Sequence, residues 1–229
     1  MKKKLSKRYK KLIEASANKK VETLEVVLKK IKENCTAKFD ESIDVSLNLN
    51  LKQKKEEVNL RTIVNLPHGN GRKIRIAVLC EEGKVNEAKD AGAVVAGSEN
   101  LINDITAGKI NFDKLIATPV MMSKMGKLGK ILGPKGLMPN PKLGTVTADV
   151  KKAVKALKEG QIEIKNDKDG NIAASIGKKS FPDIKIIENF NAFIQTIQKE
   201  KPSKIKGDFI LSSFLTSTMG ISYKLKLRT

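Results

Sequence analysis

The segment from residue 125 to residue 147, MGKLGKILGPKGLMPNPKLGTVT, has the composition of a loop that could hold phosphate groups. It contains five glycines, three prolines and four lysines, and no acidic residue occurs between Asp113 and Asp149. Glycines let the backbone approach a ligand closely, and lysines neutralise the charge of phosphates. The candidate phosphate contacts in this basic loop are Lys127, Lys130, Lys135 and Lys142.

Neither of the common nucleotide-binding motifs fits the basic loop. A P-loop needs the pattern G-x-x-x-x-G-K-[ST], whose lysine and hydroxyl serve the phosphates and the magnesium ion. The fifth residue after Gly126 is Ile131 and the fifth after Gly129 is Pro134, and no other glycine of the segment begins the pattern. The dinucleotide pattern G-x-G-x-x-G is missing as well. A contact to a polynucleotide and a solvated surface loop remain as the two interpretations.

The segment TSTMG, at residues 216–220, offers a second set of groups to a nucleic acid. Hydroxyls and backbone N–H groups at a turn between two strands suit contacts to phosphate and ribose. Met219 could pack against a base or a sugar, and Gly220 permits close approach of the backbone. An ordinary hairpin turn is the alternative, and the residues alone leave both open.

The segment AKFDES, at residues 37–42, places a lysine beside a phenylalanine just before a predicted strand. Phe39 could stack on a base while Lys38 meets a phosphate. A phenylalanine buried in the core is the alternative, and the residues alone do not decide between them.

The charge of the chain favours a polyanionic partner. Its 229 residues include 45 Lys or Arg and 25 Asp or Glu, which gives a formal net charge of +20. An imbalance of that size attracts nucleic acid or an anionic membrane and resists self-association, so we expect a protein that is monomeric when free. The basic N-terminal arm, MKKKLSKRYKKLIEA, carries too little apolar surface to favour the membrane.

Residue types that commonly hold metals or carry out catalysis are scarce. His68 is the only histidine, and Cys35 and Cys80 lie far apart without metal-ligand spacing, as expected of reduced core thiols. We therefore expect no metal, no cofactor and no catalytic residue. No stretch has the 18 or more apolar residues of a membrane span, so we expect a cytoplasmic protein without a membrane partner.

Both ends of the chain have α+β patterns. Residues 21–34 have the apolar spacing of a helix, and residues 43–51 alternate as in a half-buried strand. We expect residues 58–66 to form the hairpin partner of that strand. Near the other end, NDKDG between QIEIK and NIAASIG is a hairpin signal, residues 181–202 predict a helix, and two strands flank TSTMG.

The middle of the chain has a different pattern. Residues 72–159 alternate short strands with helices, which predicts a parallel α/β sheet. Pro67, Gly69 and Gly71 mark a turn before it, and of the nine aromatic residues only Phe112 lies between residues 68 and 160. We expect a discontinuous α+β domain, residues 1–67 and 160–229, into which an α/β domain, residues 68–159, is inserted.

The basic loop closely resembles the signature of a family of bacterial large-subunit ribosomal proteins, "L one", which belong to the mobile stalk of the ribosome. The segments VNLPHGNG, AGAVVAGSENL, IEIKNDKDGNIAASIGKKSF and TSTMG are similar to that family in the same order. The line ISYKLKLRT departs from it, because a proline would be expected after TMG. The resemblance implies a split α+β domain with an antiparallel sheet built from both termini, and an inserted, Rossmann-like, three-layer α/β domain.

The resemblance also implies a function. Such proteins bind the large-subunit ribosomal RNA at the base of the stalk and assist release of deacylated tRNA from the exit site. They can also repress translation of their own operon by binding its mRNA. A nucleotide-dependent enzyme that uses the α/β domain is the alternative that the residues leave.

Carried over position by position, the family's main RNA contacts fall on the split domain. They are Lys38, Phe39, Ser42, Lys165, Asp167, Ser212, Thr218, Met219 and Gly220. Ser42 matches a position where threonine also occurs. The four lysines of the basic loop become secondary contacts.

Overall fold

The structure is a computed structural model that describes residues 6–15, 21–50, 60–202 and 207–226. Contacts divide the chain into two compact units, Met1–Gly71 with Ile162–Thr229, and Arg72–Gln161. In chain order the elements are α1 (Lys7–Ala15), α2 (Leu24–Asn34), β1 (Ser42–Leu49), β2 (Arg61–Asn65), β3 (Ile76–Leu79), α3 (Val85–Asp90), β4 (Val95–Gly97), α4 (Glu99–Thr106), β5 (Lys114–Ala117), α5 (Pro119–Met125), α6 (Gly129–Leu132), α7 (Val150–Glu159), β6 (Gln161–Lys165), β7 (Asn171–Lys178), α8 (Asp183–Lys199), β8 (Ile210–Ser217) and β9 (Tyr223–Leu225).

The first unit contains a four-stranded antiparallel sheet in the order β7-β1-β8-β9. The alternation of β1 buries every second residue from Ile43 to Leu49, so one face of the strand enters the core. The apolar stripes of α2 and α8 join the same core cluster, as the helical spacing predicts. The opposite face of the sheet carries the polar residues of β1.

Two hairpin predictions are wrong. Strand β1 pairs with β7 and β8, whereas β2 pairs with β6 in a separate two-stranded sheet. NDKDG forms a turn, but it joins β6 of one sheet to β7 of the other. Local turn signals predict a reversal of the chain, but pairing depends on contacts between distant segments. Residues 51–59, which include the predicted charged turn KQKKEE, lie outside the described residues, as do residues 1–5 of the basic arm and residues 16–20 that follow it.

The second unit contains a three-stranded parallel sheet in the order β4-β3-β5. Alternate residues of β3 point to opposite faces. Ala77 and Leu79 pack with α4, α5 and α6, while Ile76 and Val78 pack with α3 and α7. The sheet is therefore covered by helices on both faces, as the strand–helix alternation predicts.

A mixed α/β chain with several sheets agrees with the predicted fold class. The insertion of one domain into the other, and its boundaries at residues 67–68 and 159–160, stay a prediction. Within the described residues, no helix is long and apolar enough to cross a membrane.

Candidate nucleic-acid interface

The nine predicted RNA contacts lie toward two ends of the four-stranded sheet. Pairing of Ile43 with Ser217 places the start of β1 beside the end of β8. Lys38, Phe39, Ser42, Thr218, Met219 and Gly220 adjoin this end, which we call the β1-start end. Ser212 pairs with Asn48 near the other end, where the turn that contains Asp167 leads into β7 and follows Lys165. The seven residues from Ser42 to Asn48 extend over about 20 Å of strand.

Backbone and hydroxyl groups join the two chain segments at the β1-start end. The Ser42 N–H donates to the Thr218 hydroxyl at 3.0 Å, and the Thr218 N–H donates to the Ser42 carbonyl at 3.1 Å. Lys178 donates from its Nζ to the Ser42 hydroxyl at 2.7 Å. The two hydroxyls are therefore held in place by the protein, with acceptor capacity left for an RNA donor.

Large apolar side chains are exposed at the same end. Phe39 is 52% exposed and Met219 is 47% exposed, so neither belongs to the core. The alternative of a core phenylalanine at position 39 is therefore wrong. An exposed aromatic ring beside exposed Lys38 has the chemistry needed to stack on a base while the lysine meets a phosphate.

Position 220 requires glycine because any side chain there would clash with Ser217. A Cβ atom built at this position would lie closer than 3.0 Å to the Ser217 hydroxyl oxygen and 3.5 Å from the Ser217 Cβ. Ser217 is buried, so its hydroxyl could not move toward solvent without cost. The turn therefore depends on the missing side chain at Gly220.

The turn at the other end is organised by Asp167. Its carboxylate accepts the backbone N–H of Asn171 at 2.6 Å and of Asp169 at 3.0 Å, and the Asn171 side chain at 3.0 Å. The Asn171 backbone and side-chain hydrogen bonds are the main cause that lowers the pKa of Asp167. Lys165, just before the turn, is exposed. Asp167 therefore shapes the turn that presents its neighbours.

A polar face connects the two ends. Asp44, Ser46 and Asn48 of β1 alternate with buried residues and are partly exposed. The register between β1 and β8 places Thr216 beside Asp44 and Ser212 beside Asn48. The Asn48 side chain donates to the Asn171 side chain of β7 at 2.7 Å. The face thus presents hydroxyls, amides and the Asp44 carboxylate. The hydroxyls and amides suit contacts to ribose and base edges.

The basic loop belongs to the second unit and is not a simple loop. It contains helix α6 and two 3₁₀ turns, Gly126–Leu128 and Pro141–Leu143. Two of its leucines, Leu128 and Leu132, are buried in the core of this unit. Its lysines at positions 127, 130, 135 and 142 are all exposed. Of the ion pairs between described residues, none involves these four lysines.

A model of the "Ribosomal protein L1p/L10e family" matches residues 31–221, a range that includes all nine predicted RNA contacts and the basic loop. The chain belongs to this family. It is 57% identical over 223 residues to the large ribosomal subunit protein uL1 of Pelagibacter ubique, covering 97% of each chain. It is 47% identical over 204 residues to the uL1 protein of Rickettsia bellii, covering 89% of this chain and 85% of that protein.

Membership of the L1p/L10e family confirms the resemblance found in the sequence. It also makes the chain a ribosomal, structural protein, so the alternative of a nucleotide-dependent enzyme is set aside. Among the described residues, no group of three or more His, Cys, Asp or Glu side chains could hold a metal ion. The RNA-contact roles of individual residues stay predictions.

Sequence reasoning missed two residues at the β1-start end of this family member. Arg8 of α1 donates to the Met219 carbonyl at 3.2 Å and to the Thr36 hydroxyl at 3.3 Å. Glu41 is buried and accepts the N–H groups of Ala37 and Met219. Arg8 lies in the basic arm and Glu41 lies in AKFDES, and the sequence marks both segments as candidates. No local pattern, however, indicates that each residue has a partner more than 170 residues away.

Proposed function

We propose that this protein is a component of the large ribosomal subunit that binds the large-subunit ribosomal RNA through the β1-start end and the polar face of its sheet. The observation that carries the proposal is the pair of exposed apolar side chains, Phe39 and Met219, beside the hydrogen-bonded Ser42 and Thr218. Folded RNA exposes unpaired bases in loops and bulges, and stacking of one base on an aromatic ring such as that of Phe39 contributes about 1–3 kcal/mol.

Positive charge supports the same proposal. Lys38 and Lys165 are exposed at the two ends of the sheet, and the net charge of +20 favours approach of a polyanion from any direction. Lysines meet phosphates and set the register, while hydroxyls, amides and apolar surfaces recognise the shape of the RNA. All nine carried-over positions have a role in this proposal, with Asp167 acting through the turn that it shapes.

We further propose that the ribosome-associated, cytoplasmic protein assists release of deacylated tRNA from the exit site and represses its own operon by binding the mRNA. The family resemblance is the basis for both roles. The exposed lysines of the basic loop lie on a different unit from the sheet, so they are available for a second, weaker RNA contact.

Footprinting tests the proposal directly. The purified protein is incubated with ribosomal RNA and with a transcript of its own operon leader, and hydroxyl-radical cleavage maps the protected nucleotides. We expect one protected site in the stalk region of the large-subunit RNA and a similar fold protected in the leader. Protection of the ribosomal RNA alone would contradict the repressor role, and absence of protection in both would contradict RNA binding.

A further inference from the structure

Glu41 is the only charged side chain that is buried among the described residues, with 1% of its surface exposed. Burial of a carboxylate is costly unless hydrogen bonds and opposite charges compensate for lost water. Such a group inside a proposed RNA interface, where the ligand is itself anionic, requires a specific reason.

The carboxylate of Glu41 holds two separate segments of the interface. One oxygen accepts the Ala37 N–H at 3.1 Å, and the other accepts the Met219 N–H at 3.0 Å. Burial raises the pKa of Glu41, but the hydrogen bonds from Met219, Ser217 and Ala37 and the nearby charge of Arg8 outweigh it, so the pKa lies below its usual value. The carboxylate is therefore ionised and bonded on both oxygens at neutral pH.

Each of the two segments carries one exposed apolar side chain. The bend at residues 37–39 presents Phe39, and the turn at residues 218–220 presents Met219. The two amides that Glu41 accepts are two residues before Phe39 and at Met219 itself. Glu41 thus adds a buried link between two surfaces that are 180 residues apart in the chain, beside the hydrogen bonds between Ser42 and Thr218.

We propose that Glu41 is a positioning residue for RNA binding, which links the bend to the turn so that Phe39 and Met219 together receive unstacked bases. The inference rests on the proposed function. Glu41 does not touch the RNA in this scheme. By ordering the two segments before the RNA binds, Glu41 reduces the conformational entropy that they lose on binding.

The test compares wild type with Glu41→Gln on a transcript of the stalk region of Pelagibacter ubique large-subunit ribosomal RNA. Glutamine keeps the size, but its NH₂ group must face one of the two N–H donors, so one hydrogen bond is lost. We expect filter binding to show about tenfold weaker affinity, the effect of losing one charge-assisted bond. Glu200→Gln, which makes the same change at a distant hydrogen-bonded glutamate, should bind like wild type.

Two readouts separate positioning from a general loss of stability. In wild type the ¹³C-methyl signal of Met219 should be dispersed and sharp, and in Glu41→Gln it should move toward the random-coil position. In a Phe39→Ala/Met219→Ala background, which lacks both positioned side chains, Glu41→Gln should change affinity less than about twofold, because coupled residues are non-additive. Equal losses in both backgrounds would overturn the inference.

The remaining outcomes are also distinguishable. If wild type does not bind the transcript, the proposed function fails. If wild type binds and Glu41→Gln binds equally well, only the positioning role fails. If thermal unfolding shows that Glu41→Gln is poorly folded, Glu41→Asp replaces it: this side chain keeps the charge but is one methylene too short to reach both amides, and wild-type affinity for Glu41→Asp would overturn the proposal.

Discussion

The substitution Gly220→Ala tests whether the shape of the TSTMG turn controls RNA binding. The new Cβ would lie closer than 3.0 Å to the Ser217 hydroxyl oxygen, a separation that real Cβ atoms do not adopt. Ser217 is buried and its hydroxyl donates to the Glu41 carboxylate, so rotating the hydroxyl away breaks a charge-assisted bond.

The size of the effect follows from that bond. Loss of a hydrogen bond to a charged, buried group costs about 1.5–3 kcal/mol. If the turn must have its native shape to bind, the affinity for stalk RNA falls by roughly 10- to 150-fold, since about 1.4 kcal/mol corresponds to a factor of ten. Filter binding measures the loss, and thermal unfolding measures how much of it reflects stability alone.

A double-mutant cycle identifies the cause. Ser217→Ala removes the hydroxyl and leaves the Ser217 Cβ at 3.5 Å and the Ser217 backbone nitrogen at 3.7 Å, both of which are ordinary contacts. Gly220→Ala should therefore change affinity by less than about twofold in the Ser217→Ala background. Gly83→Ala, whose added Cβ meets nothing within 4 Å and which lies outside the basic loop, is the matched control and should bind like wild type. A full loss in the Ser217→Ala background would refute the steric reasoning.

Four other outcomes are expected. Affinity for stalk RNA should fall by about 10³–10⁵ between 50 and 200 mM salt if roughly 6–10 phosphates are neutralised, and a flat response in filter binding would contradict this. Phe39→Ala should weaken binding by about 1–3 kcal/mol, whereas Ile184→Ala, which truncates an even more exposed apolar side chain on α8, should not. Lys127→Ala should cost less affinity than Gly220→Ala in the same assay, because it removes one solvated charge; a reversed order would return the basic loop to the centre of binding. Asp167→Asn should destabilise the protein at pH 7, and the difference from wild type in urea unfolding should shrink as the pH falls below about 4, because a carboxylate whose pKa is lowered by folding stabilises only while ionised.

Local periodicity was sufficient for the elements that lie under the interface. The alternation of β1 and the apolar stripe of α8 are set by neighbours two to four residues away, so the sequence predicts both correctly. The pairing of β1 with β7 and β8 is set by residues more than 120 positions distant, and there the hairpin predictions fail. Glu41 was missed for the same reason, since its second partner, Met219, is 178 residues away.

The basic loop requires a different kind of perturbation from the one its composition suggests. Its glycines and lysines indicate a phosphate-binding surface loop that could be deleted to test its role. Leu128 and Leu132 are fully buried among the side chains of α4 and α5, so a deletion of residues 126–136 would remove part of the core and destabilise the second unit. A loss of RNA affinity after such a deletion would then say nothing about the lysines. Replacing the exposed lysines one at a time keeps the leucine core and isolates their charge, which is the property that a phosphate contact requires.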